Sequence, residues 1–183
     1  MPSIVEKYKG EVVPEMRKEF GYSNEFAAPH IEKVVVHVGT GRIAREKGND
    51  AEVIKYITAI TGQKPIPCPA RQSIASFKVR QGQIIGYKVT LRGKRMYDFL
   101  ERFINTAIPR MRDFRGFEAK VVDASGNLTL GIREHIVFPE TIGEDVKFIF
   151  GLEVTVATNA KSRKEALALF RLLGFPLKKE LEN

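Results

Sequence analysis

The segment Ile84-Ile-Gly-Tyr-Lys-Val-Thr-Leu-Arg92 changes character at every second residue. In an extended chain successive side chains point to opposite faces. Tyr87, Val89 and Leu91 therefore share one face, and Lys88, Thr90 and Arg92 share the other. A strand apolar on one side and basic on the other belongs to a sheet with one covered face and one open face. Lys33-Val-Val-Val-His-Val38 is a second strand, rich in β-branched residues, with Val34, Val36 and Val38 opposite Val35 and His37.

Helical patterns lie between the strands. Ile4, Tyr8, Val12, Met16 and Phe20 recur at helical steps, with Pro14 expected to divide the helix and Gly21 to end it. Asp50 to Ile60 is a short helix with Val53, Ile54, Ile57 and Ile60 on one stripe, stopped by Gly62. Met96, Phe99, Leu100, Phe103, Ile104, Ala107 and Ile108 give the most amphipathic helix, which Pro109 ends or kinks. Further strands are expected around Asn127–Leu130 and Leu152–Ala157, and Ser162 with Glu165 forms a capping box that opens a last helix, closed by Gly174 and Pro176. Lys64-Pro-Ile-Pro-Cys-Pro69 is extended, because its prolines exclude helix. Arg71 to Gly82 has no clean period and reads as a long loop or a protruding hairpin. Interspersed strands and helices predict an α+β fold: a largely antiparallel sheet with helices on one face and a protruding basic loop. At 183 residues, 43% of them hydrophobic, a single domain over 1–183 is expected.

The charge is local. Between Val53 and Tyr97 there is no Asp or Glu but nine cations: Lys55, Lys64, Arg71, Lys78, Arg80, Lys88, Arg92, Lys94 and Arg95. The whole chain has 30 Lys+Arg and 22 Asp+Glu, so the rest nets 21 − 22 = −1. A one-signed segment marks a partner of opposite sign, and a polyanion fits because each neutralised phosphate releases a counterion. No apolar run is long enough to span a bilayer. Met1-Pro-Ser-Ile-Val-Glu lacks the basic segment and apolar core of an export signal. The single cysteine, Cys68, forms no internal disulfide and fits a reducing compartment.

Catalytic and metal signatures are missing, so neither catalytic residues nor a cofactor is expected. His30, His37 and His135 are scattered, with no metal-ligand spacing. Gly39-Thr-Gly41 lacks the third glycine of a dinucleotide fingerprint and reads as a turn. The RNA-type features are stronger. Phe77 sits in Arg71-Gln-Ser-Ile-Ala-Ser-Phe-Lys-Val-Arg80, where it either stacks on an unpaired base or anchors the loop to the core. Gln63, Ser73 and Thr90 are suited to ribose hydroxyls and base edges. Arg110-Met-Arg-Asp-Phe-Arg-Gly116 either binds phosphate or complements the carboxyl end of the helix before it.

Several blocks carry a family resemblance. Ile57-Thr-Ala-Ile-Thr-Gly-Gln-Lys-Pro65 with Ala70-Arg-Gln-Ser-Ile-Ala-Ser-Phe-Lys-Val-Arg80 resembles the signature region of large-subunit ribosomal protein five, in its bacterial-type form. So do Val89–Arg92 with Met96–Leu100, Pro109–Gly116, Gly126–Glu134 with Phe138-Pro-Glu140, and Leu172–Pro176. The resemblance runs from Tyr8 to Pro176, in order. It implies a non-enzymatic protein of the central protuberance, in the cytoplasmic ribosome, that binds 5S rRNA and lies against 23S rRNA. It also implies contact with P-site tRNA and with neighbouring ribosomal proteins, including one of the small-subunit head. Gln63, Phe77 and Thr90 match family positions at 5S rRNA, with His37, Lys88 and Arg92 beside them. The tRNA-facing loop corresponds to Arg71, Gln72, Ser73, Lys78, Arg80, Gln81 and Gly82; its tip is expected at tRNA and its base, near Phe77, at 5S rRNA. Departures from the family pattern are His37 for a usual Asn, Cys68, Pro69 and Gln72 for polar or basic residues, His135 for a usual Gln, and a varied turn at Asp123-Ala-Ser-Gly126. Readings from other classes are a small α+β enzyme acting on a phosphorylated or nucleotide substrate, with Arg71–Arg80 as a lid, and a free-standing RNA chaperone without preference for 5S rRNA.

Overall fold

In the computed structural model, the described residues are 3–41, 49–141 and 146–178, so Met1 and Pro2 of the opening segment lie outside them. The strands are β1 (Ile31–Gly39), β2 (Ile66–Pro69), β3 (Ile84–Leu91), β4 (Leu128–Ile132) and β5 (Leu152–Thr158). They hydrogen-bond in the order β2-β3-β1-β5-β4 as an antiparallel sheet with helices against it, the expected α+β class. Burial alternates along the strands: Val34, Val36 and Val38 of β1, Leu128, Leu130 and Ile132 of β4, and Leu152, Val154 and Val156 of β5 are all buried. One face of each strand is thus the core face, as the period-two pattern requires.

Proline explains the position of β2. Ala70 donates to the Gln83 carbonyl and accepts from Gly82, which fixes the side of the strand that faces β3. Pro67 and Pro69 are odd-spaced from Ala70, so their donorless nitrogens turn to the outer side. That is where a strand at the sheet margin tolerates them. The extended segment expected from the prolines is therefore an edge strand. Its register with β3 runs Pro67↔Tyr87, Cys68↔Gly86, then Pro69↔Ile84, leaving Ile85 as an extra residue. Thr40 N–H takes up the Ile85 carbonyl at 2.9 Å, so the bulge leaves that acceptor satisfied.

The chain clusters into two compact units. The first comprises Met1–Val34, Arg92–Leu130 and Thr155–Asn183. It contains α1 (Ile4–Lys7), α2 (Val13–Phe20), α4 (Gly93–Arg102) and α5 (Arg163–Leu173). Its core includes Val12, Met16, Phe99, Leu100, Phe103, Leu169 and Phe170. The second comprises Val35–Leu91 and Gly131–Val154, with α3 (Asn49–Thr61). Val53, Tyr56, Ile57, Ile60, Val89, Leu91, His135 and Phe138 are buried there.

Two expectations change, at Pro14 and at Ser162, while Pro109 ends its helix as expected. Pro14 does not divide its helix: the backbone stays helical from Ile4 to Phe20 through a π turn at Tyr8–Val12, where Val13 N–H reaches the Tyr8 carbonyl. The helix before Pro109 carries the same device at Phe103–Ala107, with Ile108 N–H on the Phe103 carbonyl, and then ends in a tight turn over Ile108–Arg110. A proline clashes with the carbonyl four residues back, and a widened turn moves that carbonyl aside. The capping box at Ser162 is only half made. The Ser162 hydroxyl accepts from Glu165 N–H, but the Glu165 carboxylate accepts from Lys161 N–H at 2.9 Å instead of the Ser162 N–H. The carboxylate reaches one residue further back.

Candidate nucleic-acid interface

The open face of β3 follows from its alternation. Tyr87, Val89 and Leu91 are buried, Lys88 is exposed and Thr90 half-buried. Burial, and then the nearby Asp50, raises the Tyr87 phenol above its usual range. The Thr90 carbonyl accepts from Gln63 Nε2 at 3.4 Å. Gln63 is itself held at the end of α3, where the Thr61 hydroxyl donates to the Ile57 carbonyl at 2.7 Å and accepts from Gln63 N–H at 3.3 Å. Gln63 and Thr90 are thus tied together, and the bond uses the threonine's backbone while leaving its hydroxyl out of the link.

His37, half-buried on β1, lies over Gly86 of β3. A Cβ at position 86 would meet Val38 O at 2.6 Å and His37 Nε2 at 3.0 Å. Only glycine leaves room there for the imidazole and the neighbouring backbone. Arg92 belongs to the first unit, one position beyond β3, where it precedes the first residue of α4. Its guanidinium donates to the Glu32 carbonyl at 3.3 Å.

Of the two forms left open for Arg71–Gly82, the structure has the hairpin. Ala70 and Gln83 close its base, Ile74 and Val79 exchange two backbone bonds of 2.9 and 3.2 Å, and Ser73 Oγ accepts from Gln81 N–H at 2.9 Å. Gly82 has φ +83°, which a side chain would strain, so it shapes the turn. The apex is the tight turn Ala75–Phe77, followed by Lys78 in a left-handed conformation. Phe77 is 70% exposed. It does not anchor the loop to the core, one of the two readings left open, and it is not near the base of the hairpin, where it was expected; the Ile74–Val79 bridge lifts it to the tip beside Lys78. Arg71, Gln72, Ser73, Lys78, Arg80 and Gln81 are all exposed. Among the described residues none of Lys64, Arg71, Lys78, Arg80 and Lys88 forms an ion pair, so their charge is available to a partner.

Ile66, Ile74, Ile84 and Ile85 are also exposed, at 55%, 45%, 39% and 37%. Sequence reasoning passed over them because isoleucine in a strand defaults to core. The available signal was Ile74, an isolated apolar residue among polar ones. No group of three or more His, Cys, Asp or Glu among the described residues is placed to hold a metal ion. Among the described residues no helix is long and apolar enough to cross a membrane.

Comparison with known proteins matches residues 24–80 to the family described as ribosomal protein L5 and residues 84–177 to the C-terminal region of the same ribosomal family. The large ribosomal subunit protein uL5 of Halothermothrix orenii is 47% identical over 176 residues, covering 96% of this chain and 98% of that protein. Its counterpart from Carboxydothermus hydrogenoformans is 45% identical over 177 residues, covering 96% and 98%. The one from Colwellia psychrerythraea is 45% identical over 181 residues, covering 99% and 100%.

Proposed function

Because this chain belongs to the ribosomal protein L5 family, and is a structural protein of the large ribosomal subunit with no enzymatic role, we propose that its open β3 face binds 5S rRNA and its β2–β3 hairpin contacts P-site tRNA. The observation that carries the reading is the juxtaposition on β3: an exposed Lys88, the Thr90 hydroxyl, and Gln63 bonded to the Thr90 carbonyl. The cation and hydroxyl of β3, with the Gln63 amide tied to it from the end of α3, can hold phosphate, ribose and base edge together. His37 over Gly86 adds an imidazole to the second unit's RNA-facing groups. The hairpin offers Lys78 and Arg80 without acidic partners, and Phe77 as a ring for stacking. The chain acts as one RNA-binding domain in the cytoplasmic ribosome, against 23S rRNA and neighbouring proteins including one of the small-subunit head.

The test is a salt titration of the purified chain against 5S rRNA and an unrelated structured RNA of equal length. Log affinity for 5S rRNA falls linearly with log salt, because phosphate contacts release counterions. The 5S complex is tighter throughout. Equal affinity for the two RNAs would sink the specific reading and leave a general RNA chaperone.

A further inference from the structure

The basic segment after α4 is not used by either surface. It leaves the helix at Arg110, and Asp113 (φ +52°) and Gly116 (φ +87°) turn it sharply. At Gly116 a Cβ would stand 3.2 Å from the Pro176 carbonyl. The end of the loop is clamped there: Phe117 N–H donates to Pro176 O at 2.9 Å, and Lys178 N–H to Phe117 O at 2.8 Å. Phe114 packs edge-on against Phe117, with ring centroids 4.9 Å apart, and both rings are half-buried. On this frame Arg110, Arg112 and Arg115 are exposed, and among the described residues Arg110 and Arg115 make neither a hydrogen bond nor an ion pair. Lys178 is exposed beside Phe117. Two carboxylates temper the charge: Asp113 within the loop, and Glu118, whose carboxyl is held below its usual range by hydrogen bonding to Lys120.

We propose that the loop Arg110–Phe117 is a separate RNA-gripping surface, which holds phosphates of ribosomal RNA through Arg110 and Arg115 and sets Phe114 against a nucleotide. Among the described residues no hydrogen bond or ion pair engages the Arg110 and Arg115 guanidinium groups, yet two left-handed residues and a backbone clamp present them. Arginine's planar fork matches phosphate oxygens in a bidentate way that lysine does not, and every cation within the loop is arginine. The alternative role, complementing the carboxyl end of the helix, suits Arg110, which lies in its last turn. It does not reach Arg115, beyond the turn at Asp113. The inference rests on the chain's place in the large subunit and not on the assignment of β3.

The experiment uses the full chain and large subunits depleted of it. Arg110→Ala/Arg115→Ala lowers the slope of log affinity against log salt for rebinding by about 2, roughly one per phosphate lost. Its thermal melting stays at the wild-type value. An unchanged slope, or a clear loss of thermal stability, overturns the proposal. In a second arm, Phe114→p-benzoylphenylalanine is irradiated in assembled subunits. Crosslinks to rRNA support the assignment; crosslinks to protein alone, or none, refute it. Lys88→Ala, titrated against free 5S rRNA, tests the β3 face independently, so either reading can fail while the other stands.

Discussion

The imidazole of His135 lies flat on the ring of Phe150, with centroids 4.0 Å apart and planes inclined by 8°. Tyr56 closes the group, 4.8 Å from the imidazole. His135 is fully buried; its Nδ1 accepts from Phe150 N–H at 3.4 Å, and among the described residues its Nε2 has no partner. Burial lowers its pKa below the ordinary 6.5. The unfolded chain therefore binds a proton here at a pH where the folded chain does not. Stability is full above about pH 6.5 and falls as the pH drops below it, because protonation then favours the unfolded state. Urea unfolding of wild type and His135→Gln at about pH 7.5 and about pH 5 should show a smaller acid loss in the variant. Equal losses would remove His135 from the account.

Thr90→Ala deletes a hydroxyl that the Gln63 link does not use. Affinity for 5S rRNA should fall by about 1–3 kcal/mol, the cost of leaving an RNA group unpaired. Stability should change by no more than about 0.5 kcal/mol, as at surface positions. A lower melting temperature with unchanged affinity would make the position structural. His37→Asn, tested in the same assay, should be neutral or improve binding.

Gly86→Ala places a methyl 2.6 Å from Val38 O and 3.0 Å from His37 Nε2. The imidazole can move, but the strand backbone yields only by shifting the ladder. A loss of about 1–3 kcal/mol in equilibrium unfolding is expected, as for overpacking. His37→Ala in the same chain should recover only part of it. Full recovery would mean that Val38 is not the obstacle.

Lys78→Ala with Arg80→Ala removes charge near the hairpin tip, where neither residue is in an ion pair among the described residues. Affinity for 5S rRNA and incorporation into large subunits should hold, while tRNA leaves the P site several-fold faster. The apical position of Phe77 puts Phe77→Ala in the same class. Wild-type tRNA release would reduce these groups to solvated surface; loss of 5S binding would assign the hairpin to the other RNA.

The strands and the open face were legible because alternation is a local code. Tyr87, Val89 and Leu91 against Lys88 and Thr90 could be sorted without knowing any neighbour. The helix termini at Gly21, Gly62 and Gly174 were legible for a similar reason. What failed to show were features set by geometry across the chain. The π turn ahead of Pro14 lets the helix run on to Phe20 where proline alone would stop it, and the one ahead of Pro109 precedes the helix end at Arg110. The apical place of Phe77 depends on the Ile74–Val79 bridge, which pairs residues that carry no strand-like run. The link between Gln63 and Thr90 joins positions 27 residues apart, a distance that no window of periodicity spans.

The donorless outer margin of β2 has a consequence for the chain before any RNA arrives. A strand at the end of a sheet is a template on which a second copy can extend the ladder, and the exposed Ile66 would add apolar attraction to such pairing. Pro67 and Pro69 withhold two successive N–H groups from that template, and the bulge opposite them bends it. That disfavours edge-to-edge pairing between free copies, by a feature written into the covalent chain itself.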